Sequence, residues 1–178
     1  MVPRRRSVLR IPERRGRRRK PPLRGKQLPQ SALVHPGWTL QELIAPGVVY
    51  FYSAGWKQIG SREALLDLIV DLTHISASYF ATGDLTQFSA AQKMSWAAER
   101  ETTRVEDEAY SLLGLFDINM PLLYGEGERA FQRLQEEILR QTEDDSLFAH
   151  HDHDILAKSP SSFEGCADIT RLGWRMGA

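Results

Sequence analysis

Gly37-Trp38-Thr39-Leu40-Gln41-Glu42-Leu43-Ile44-Ala45-Pro46 packs a tryptophan, a helix-start signal and a carboxylate into one short stretch. Thr39 followed three positions later by Glu42 is the spacing of a capping box, in which the carboxylate returns to the backbone N–H of the cap residue. Trp38, Leu40, Leu43 and Ile44 then fall on the inward side of a short helix, and Pro46 ends it. The chain before this stretch has no apolar period; the chain after it does.

Working towards the N-terminus, residues 1–26 hold 12 of the 23 Lys+Arg but one of the 23 Asp+Glu, so a formal net charge of zero conceals a basic head and an acidic remainder. Arg4-Arg5-Arg6, Arg14-Arg15 and Arg17-Arg18-Arg19-Lys20, interspersed with prolines, predict a disordered segment over residues 1–30. Clustered arginines suit nucleic-acid phosphates or a nuclear-import signal, so residues 4–26 are the place for any nucleic-acid contact. No aromatic residue interleaves them to stack on bases.

Working towards the C-terminus, Val48-Val49-Tyr50-Phe51-Tyr52 reads as a buried strand and residues 56–60 as a short return. Ser61 is placed to cap a helix that turns Leu65, Leu68, Ile69 and Leu72 inward and leaves Arg62, Asp67 and Asp71 to water. His74, just past that helix, suits its dipole. Ser89 with Gln92, and Thr103 with Glu106, are two more capping boxes. Val105, Ala109, Leu112, Leu113 and Phe116 recur on one helical face. The stretch 121–128 leads into a long helix with Phe131, Leu134, Ile138 and Leu139 inward. Its Gly-Glu-Gly lacks the lysine and the spacing of a phosphate loop, and its glutamates complement the helix dipole instead. The His/Asp-rich stretch from Asp144 to Asp154 has no i, i+4 histidine pair and no cysteine partner, so no metal site is expected. A single cysteine, Cys166, excludes an internal disulfide framework and fits a reducing compartment. No apolar run reaches the length of a membrane span, and the expected setting is cytoplasmic, with a nuclear alternative from the arginines.

Residues 37–46, the VVYFY strand with WKQIGS, and the block QKMSWAAERETTRVEDEAYSLLGLFDINMPLLYGEGERAFQRLQEEILR together resemble the fungal heterokaryon incompatibility (HET) domain proteins of the vegetative incompatibility family. The resemblance runs from about Gly37 to Ile169. It implies an α/β, TIR-like lineage and a role in non-self recognition and regulated cell death. It also implies protein partners or self-association. In such proteins the first block closes the HET domain and the second forms the helical module after it, which divides this chain into residues 37–60, 61–140 and an acidic, histidine-containing and partly ordered tail 141–178.

The Trp38, Leu40, Glu42, Leu43 pattern is in turn similar to the helix of plant TIR domains that carries the glutamate of NAD cleavage. That likeness makes Glu42 the candidate catalytic carboxylate and Trp38 a substrate-binding residue. NAD would be the substrate of the intact domain, with no cofactor, and Glu42 would stabilise the oxocarbenium-like state as the glycosidic bond breaks. The ALSYxWG- and WIDxxCI-like motifs of the HET domain are not found, and His35-Pro36 stand where an arginine usually precedes Gly-Trp. The expectation is a truncated member, mostly α with one or two short strands, inactive alone and acting through contact with a partner. A nucleotide pocket needs both walls.

Overall fold

The computed structural model describes residues 6–10 and 39–170. Trp38, most of the arginine-rich tract and residues 171–178 lie outside them. The first described element corrects the disordered reading at one place: Arg6–Arg10 is a strand, β1. It runs parallel to β2, Val48–Tyr52, with Val8 opposite Tyr50 and Leu9 opposite Phe51. Between them in sequence comes helix α1, Thr39–Ile44. β3, Gln58–Ser61, pairs antiparallel with β2 and completes a sheet in the order β1-β2-β3, one strand more than expected. Arg6–Arg10 was hidden because it lies in an arginine-rich tract and is only five residues long. Only the Ser-Val-Leu centre carries strand character, and the partner strand lies some forty residues away.

Period-two alternation explains which face is buried. Leu9, Val49 and Phe51 are buried on one face. Val8, Val48, Tyr50 and Tyr52 lie on the other, and Val8 is 56% exposed. β2 is therefore buried on one face, not on both. A tight turn over residues 53–57 returns the chain, with Ser53 Oγ accepting from the Lys57 N–H at 3.1 Å. Trp56, at φ 60°, is left 63% exposed.

Helices follow. Ser61 ends β3 and its Oγ accepts from the Ala64 N–H at 3.3 Å, but it is not the N-cap expected of it: the first turn is 3₁₀ (Glu63–Leu65), entered from Arg62, and α2, Leu66–Thr73, has no side-chain cap. His74 ends α2 in the left-handed region and reaches Glu99 at 3.8 Å. α3, Ala77–Thr82, closes on Gly83. The Ser89 capping box forms in full: Ser89 Oγ accepts from the Gln92 N–H at 3.1 Å and Gln92 Oε1 accepts from the Ser89 N–H at 3.0 Å. It opens α4, Ala90–Ser95.

The second box does not form. α5, Val105–Tyr110, has no side-chain cap, Glu106 points elsewhere, and Val105 is 49% exposed. The expected continuous helix breaks at Ser111, giving α6, Leu113–Phe116, which ends at Asp117 with φ 55°. α7, Arg129–Gln141, matches its period: Phe131, Leu134 and Ile138 are buried. The segment after it packs into the core. Leu147, Ala157, Phe163 and Cys166 join the same core as Val49 and Tyr110, and the 3₁₀ turns Asp145–Phe148, Pro160–Phe163 and Cys166–Asp168 pack on α4.

Candidate functional site

α1 is held from both ends. Leu40 and Leu43 are each 1% exposed and anchor it in the core. Gln41 Nε2 donates to the Ser111 carbonyl at 2.6 Å, crossing to the break between α5 and α6. Gly114 lies beside that amide, where a β-carbon would make only ordinary van der Waals contact with Gln41 Nε2, at 3.4 Å. At the C-terminal end, the carbonyls a short helix cannot satisfy internally converge on one side chain. Arg62 donates to Leu43 O at 2.9 Å, Pro46 O at 3.0 Å and Gly47 O at 3.1 Å. Tyr79 Oη donates to Ile44 O at 3.3 Å. Arg62 therefore does not face water as its helix position suggests; it is the clamp of α1.

Beside α1 lies a small open cleft of about 90 Å³, lined by Leu40, Gln41, Ile44, Ala45, Gly114 and Leu115. The lining is apolar apart from the Gln41 amide. Glu42 sits on the exposed side of α1 and is not part of that lining. The Thr39–Glu42 box involves the Thr39 side chain, which is outside the described residues, as is the whole of Trp38. Among the described residues, no group of three or more His, Cys, Asp or Glu is placed to hold a metal ion.

A denser set of polar contacts lies at α5 and the loop before α7. Gly125 and Gly127 adopt positive φ, 100° and 60°, which glycine tolerates and other residues resist. Their N–H groups both reach Glu106 Oε1, at 2.7 and 3.1 Å. Hydrogen bonds from backbone N–H groups hold the Glu106 carboxyl below the usual glutamate range. Tyr110, 2% exposed, donates to Glu126 Oε1 at 2.9 Å and accepts from the Leu123 N–H at 2.7 Å. Arg133 pairs with Glu126 and donates to Pro121 O at 3.0 Å. Tyr124 Oη donates to Asp107 at 3.0 Å while the Arg104 guanidinium lies 4.9 Å over its ring. Burial first, then the neighbouring Glu128 carboxylate, raises the Glu108 carboxyl.

Glu106 gives a pH expectation. Its folded value is depressed, so its stabilising contribution is complete above the unfolded value, about 4.3, and is lost as pH falls through the folded one. Urea melts should show wild type losing more stability than Glu106→Gln between neutral pH and about pH 3. Parallel pH curves for the two proteins would contradict the role assigned to Glu106.

Sequence reasoning missed Arg62, Tyr110 and the use of Glu106, because each binds backbone groups distant in sequence and none of those acceptors or donors has a residue-type signature. Two buried cations were also unforeseen. Arg100, 9% exposed, donates from Nε to Trp96 O at 3.0 Å, and burial brings its pKa down to about 10. Lys93, 8% exposed, stands 5.4 Å over the Phe116 ring.

With this geometry in hand, the chain can be set beside known proteins. Residues 129–174, beginning at the first residue of α7, match a family described as "Domain of unknown function (DUF8212)". More than half of the chain is homologous to a fungal vegetative incompatibility protein. That relative is the "Vegetative incompatibility protein HET-E-1" of Podospora anserina, 50% identical over 103 residues. The match takes in 57% of this chain and 8% of the relative's length. No solved structure matches the chain.

Proposed function

We propose that this chain works as a protein-contact module of a heterokaryon-incompatibility-type protein, and that it does not cleave NAD by itself. The observation that carries this reading is the second face of the sheet, half-buried at Val48, Tyr50 and Tyr52 and exposed at Val8. All-parallel sheets are as a rule covered on both faces and antiparallel ones can turn one face to water; this sheet has one pair of each kind. Here Val8, Val48, Tyr50 and Tyr52 share one face, with Val8 56% exposed and Tyr52 within 6.2 Å of the exposed Trp56 ring. β1 also ends the sheet, so its outer edge is free for an added strand among the described residues. An apolar, tyrosine-bearing face next to an open edge suits a protein partner, and the partner in this reading is the remainder of a HET-type domain. The exposed Glu42 carboxylate, outside the lining of the adjoining cleft, supports a non-catalytic reading for this chain alone.

The test has two arms. An apolar dye should bind the purified chain and lose most of its signal when Tyr50→Asp is introduced on the open face. A chain that melts cooperatively without any dye binding contradicts the contact surface. In the second arm, NAD turnover should be the same for wild type and Glu42→Ala, at the background of buffer. Turnover that Glu42→Ala abolishes would make the chain a TIR-like NAD-cleaving enzyme.

A further inference from the structure

We propose that His150 is a proton-operated clasp on the loop that carries Ile155, closed while its ring is neutral and opened when the ring takes a second proton. The loop runs from His150 to Lys158, and Ile155, at 80%, is the most exposed large apolar side chain among the described residues. Both ring nitrogens of His150 are spent on this one loop. The Asp152 backbone N–H points at Nδ1 at 3.2 Å, and Nε2 lies 3.2 Å from the Ile155 carbonyl. A backbone N–H only donates and a carbonyl only accepts, so the two partners fix the tautomer: Nδ1 is bare and Nε2 carries the hydrogen. Only the neutral ring can make both bonds.

A second proton goes to Nδ1, where it meets the hydrogen of the Asp152 amide. Both nitrogens belong to one planar ring, so a rotation that relieves Nδ1 also carries Nε2 off the Ile155 carbonyl. The two ends of the loop keep their own anchors. The Asp152 carboxylate accepts from the Lys158 N–H at 2.9 Å and from Ser162 Oγ at 2.7 Å. Those two bonds hold its carboxyl below the usual aspartate range, so this anchor survives mild acid. Ala157 is bonded in both directions to the buried Gln135 amide. What the clasp releases is the stretch between these anchors, which presents Ile155.

The groups around the ring leave the switch to His150. The Asp152 carboxylate, which His150 helps to hold ionised, offers the new Nδ1–H an acceptor once the ring has turned. The Phe163 ring, edge-on at 5.6 Å, brings no charge. Other titratable groups on the loop and on the turns packed against it are engaged elsewhere. His151 Nε2 lies 2.9 Å from the Glu164 carbonyl, the Lys158 ammonium pairs with Asp154 at 3.3 Å, and the Cys166 thiol donates to the Ala149 carbonyl at 3.4 Å. His153 and Glu164 are exposed.

Amide exchange of the full chain, corrected for the intrinsic effect of pH, tests this at the Asp152 N–H. Its protection should fall about tenfold between about pH 8 and pH 5, the range in which histidine charges, because one hydrogen bond of ordinary net strength is lost. His150→Asn keeps a short acceptor that does not titrate and should hold the amide protected at both pH values. His150→Phe keeps a ring against Phe163 without the nitrogens and should leave the amide unprotected at both. His153→Gln should keep the wild-type step. In the nitrogen NMR spectrum at pH 8, His150 should carry its hydrogen on Nε2. Equal protection at the two pH values in wild type, a step that persists in His150→Asn or vanishes in His153→Gln, or a hydrogen on Nδ1 at pH 8 would each overturn the proposal.

Discussion

Replacing Gln135 by alanine should destabilise the chain by about 3 to 4 kcal/mol, since each buried polar group left without its partner costs about 1–3 kcal/mol. The side chain and Ala157 are both 0% exposed. Gln135 Nε2 donates to the Ala157 carbonyl at 2.8 Å, and Gln135 Oε1 accepts from the Ala157 N–H at 2.9 Å. One amide thus behaves like a strand residue towards the backbone of Ala157, and its second N–H reaches Phe131 O at 3.1 Å. Alanine leaves both Ala157 groups stranded in the core and opens a void beside α7. At roughly 2 to 4 °C per kcal/mol for a chain of this size, the midpoint of thermal unfolding should fall by about 10 °C.

Gln135→Glu separates hydrogen bonding from volume. The carboxylate keeps the acceptor and loses the donor; the neutral acid regains a donor. Burial raises the introduced carboxyl in the folded state, so the variant's stability is full below the unfolded value, about 4.3, and lost as pH rises through the folded one. Its deficit relative to wild type should therefore be larger at pH 7 than at pH 4.5. A pH-independent deficit, or a Gln135→Ala cost under about 1 kcal/mol, would show that the amide is not bonded to Ala157 as described.

Gln135 also marks the limit of what the sequence discloses. The period of α7 makes Phe131, Leu134 and Ile138 legible as core, and their burial follows. The same period places Gln135 next to Leu134 without saying whether a polar residue there faces water or a distant carbonyl. Ser89 and Gln92 show the opposite case. Their three-residue spacing reveals the capping box because the contact is local. Their second duties remain hidden: Ser89 Oγ also donates to Ile169 O at 2.5 Å, and Gln92 Nε2 to Ala167 O at 2.9 Å.

Thr103 and Glu106 carry the same signature and form no box; the Glu106 carboxylate accepts instead from the N–H groups of Gly125 and Gly127, both at positive φ. Asp144 shows why the segment after α7 belongs to the core. Its carboxylate, 2% exposed, accepts from the Ala90 N–H at 2.8 Å and satisfies an orphan donor of α4 from fifty-four residues away. A composition-based reading sees only an acidic, histidine-containing tail. At the candidate site, the residues of α1 and their inward face were legible, while the placing of α1 beside the cleft depends on the bond from Gln41 to the Ser111 carbonyl, seventy residues away.

The clamp on α1 leads to the second large effect. Arg62→Met should cost about 2 to 3 kcal/mol, because hydrogen bonds from a charged group contribute more than neutral ones and three carbonyls lose the same donor together. The loss should be uneven along the chain. α1 is too short to persist by its own hydrogen bonds, as nucleation alone is unfavourable and a single-turn helix gains little from propagation. Its C-terminal carbonyls carry the negative end of the helix dipole, which the guanidinium neutralises. Removing it frees Leu43 O, Pro46 O and Gly47 O at once, and it also withdraws the cation that lies 5.6 Å over the Phe80 ring.

Amide exchange should therefore accelerate first at Ala45, whose N–H donates to Gln41 O at 2.8 Å, and less at α7, which touches none of these groups. Arg62→Lys isolates the geometry from the charge. An ammonium offers three donors from a single point, whereas the planar guanidinium spreads its donors in a fork that can span Leu43 and Gly47. Lysine should recover no more than about half of the lost stability and leave the Ala45 amide faster than wild type. Full recovery by lysine would assign the effect to charge alone, and uniform acceleration of exchange in α1 and α7 would assign it to global stability. Slowed exchange restored only by arginine would establish that the position of α1, and with it the direction in which Glu42 is presented, is set by the three-carbonyl fork.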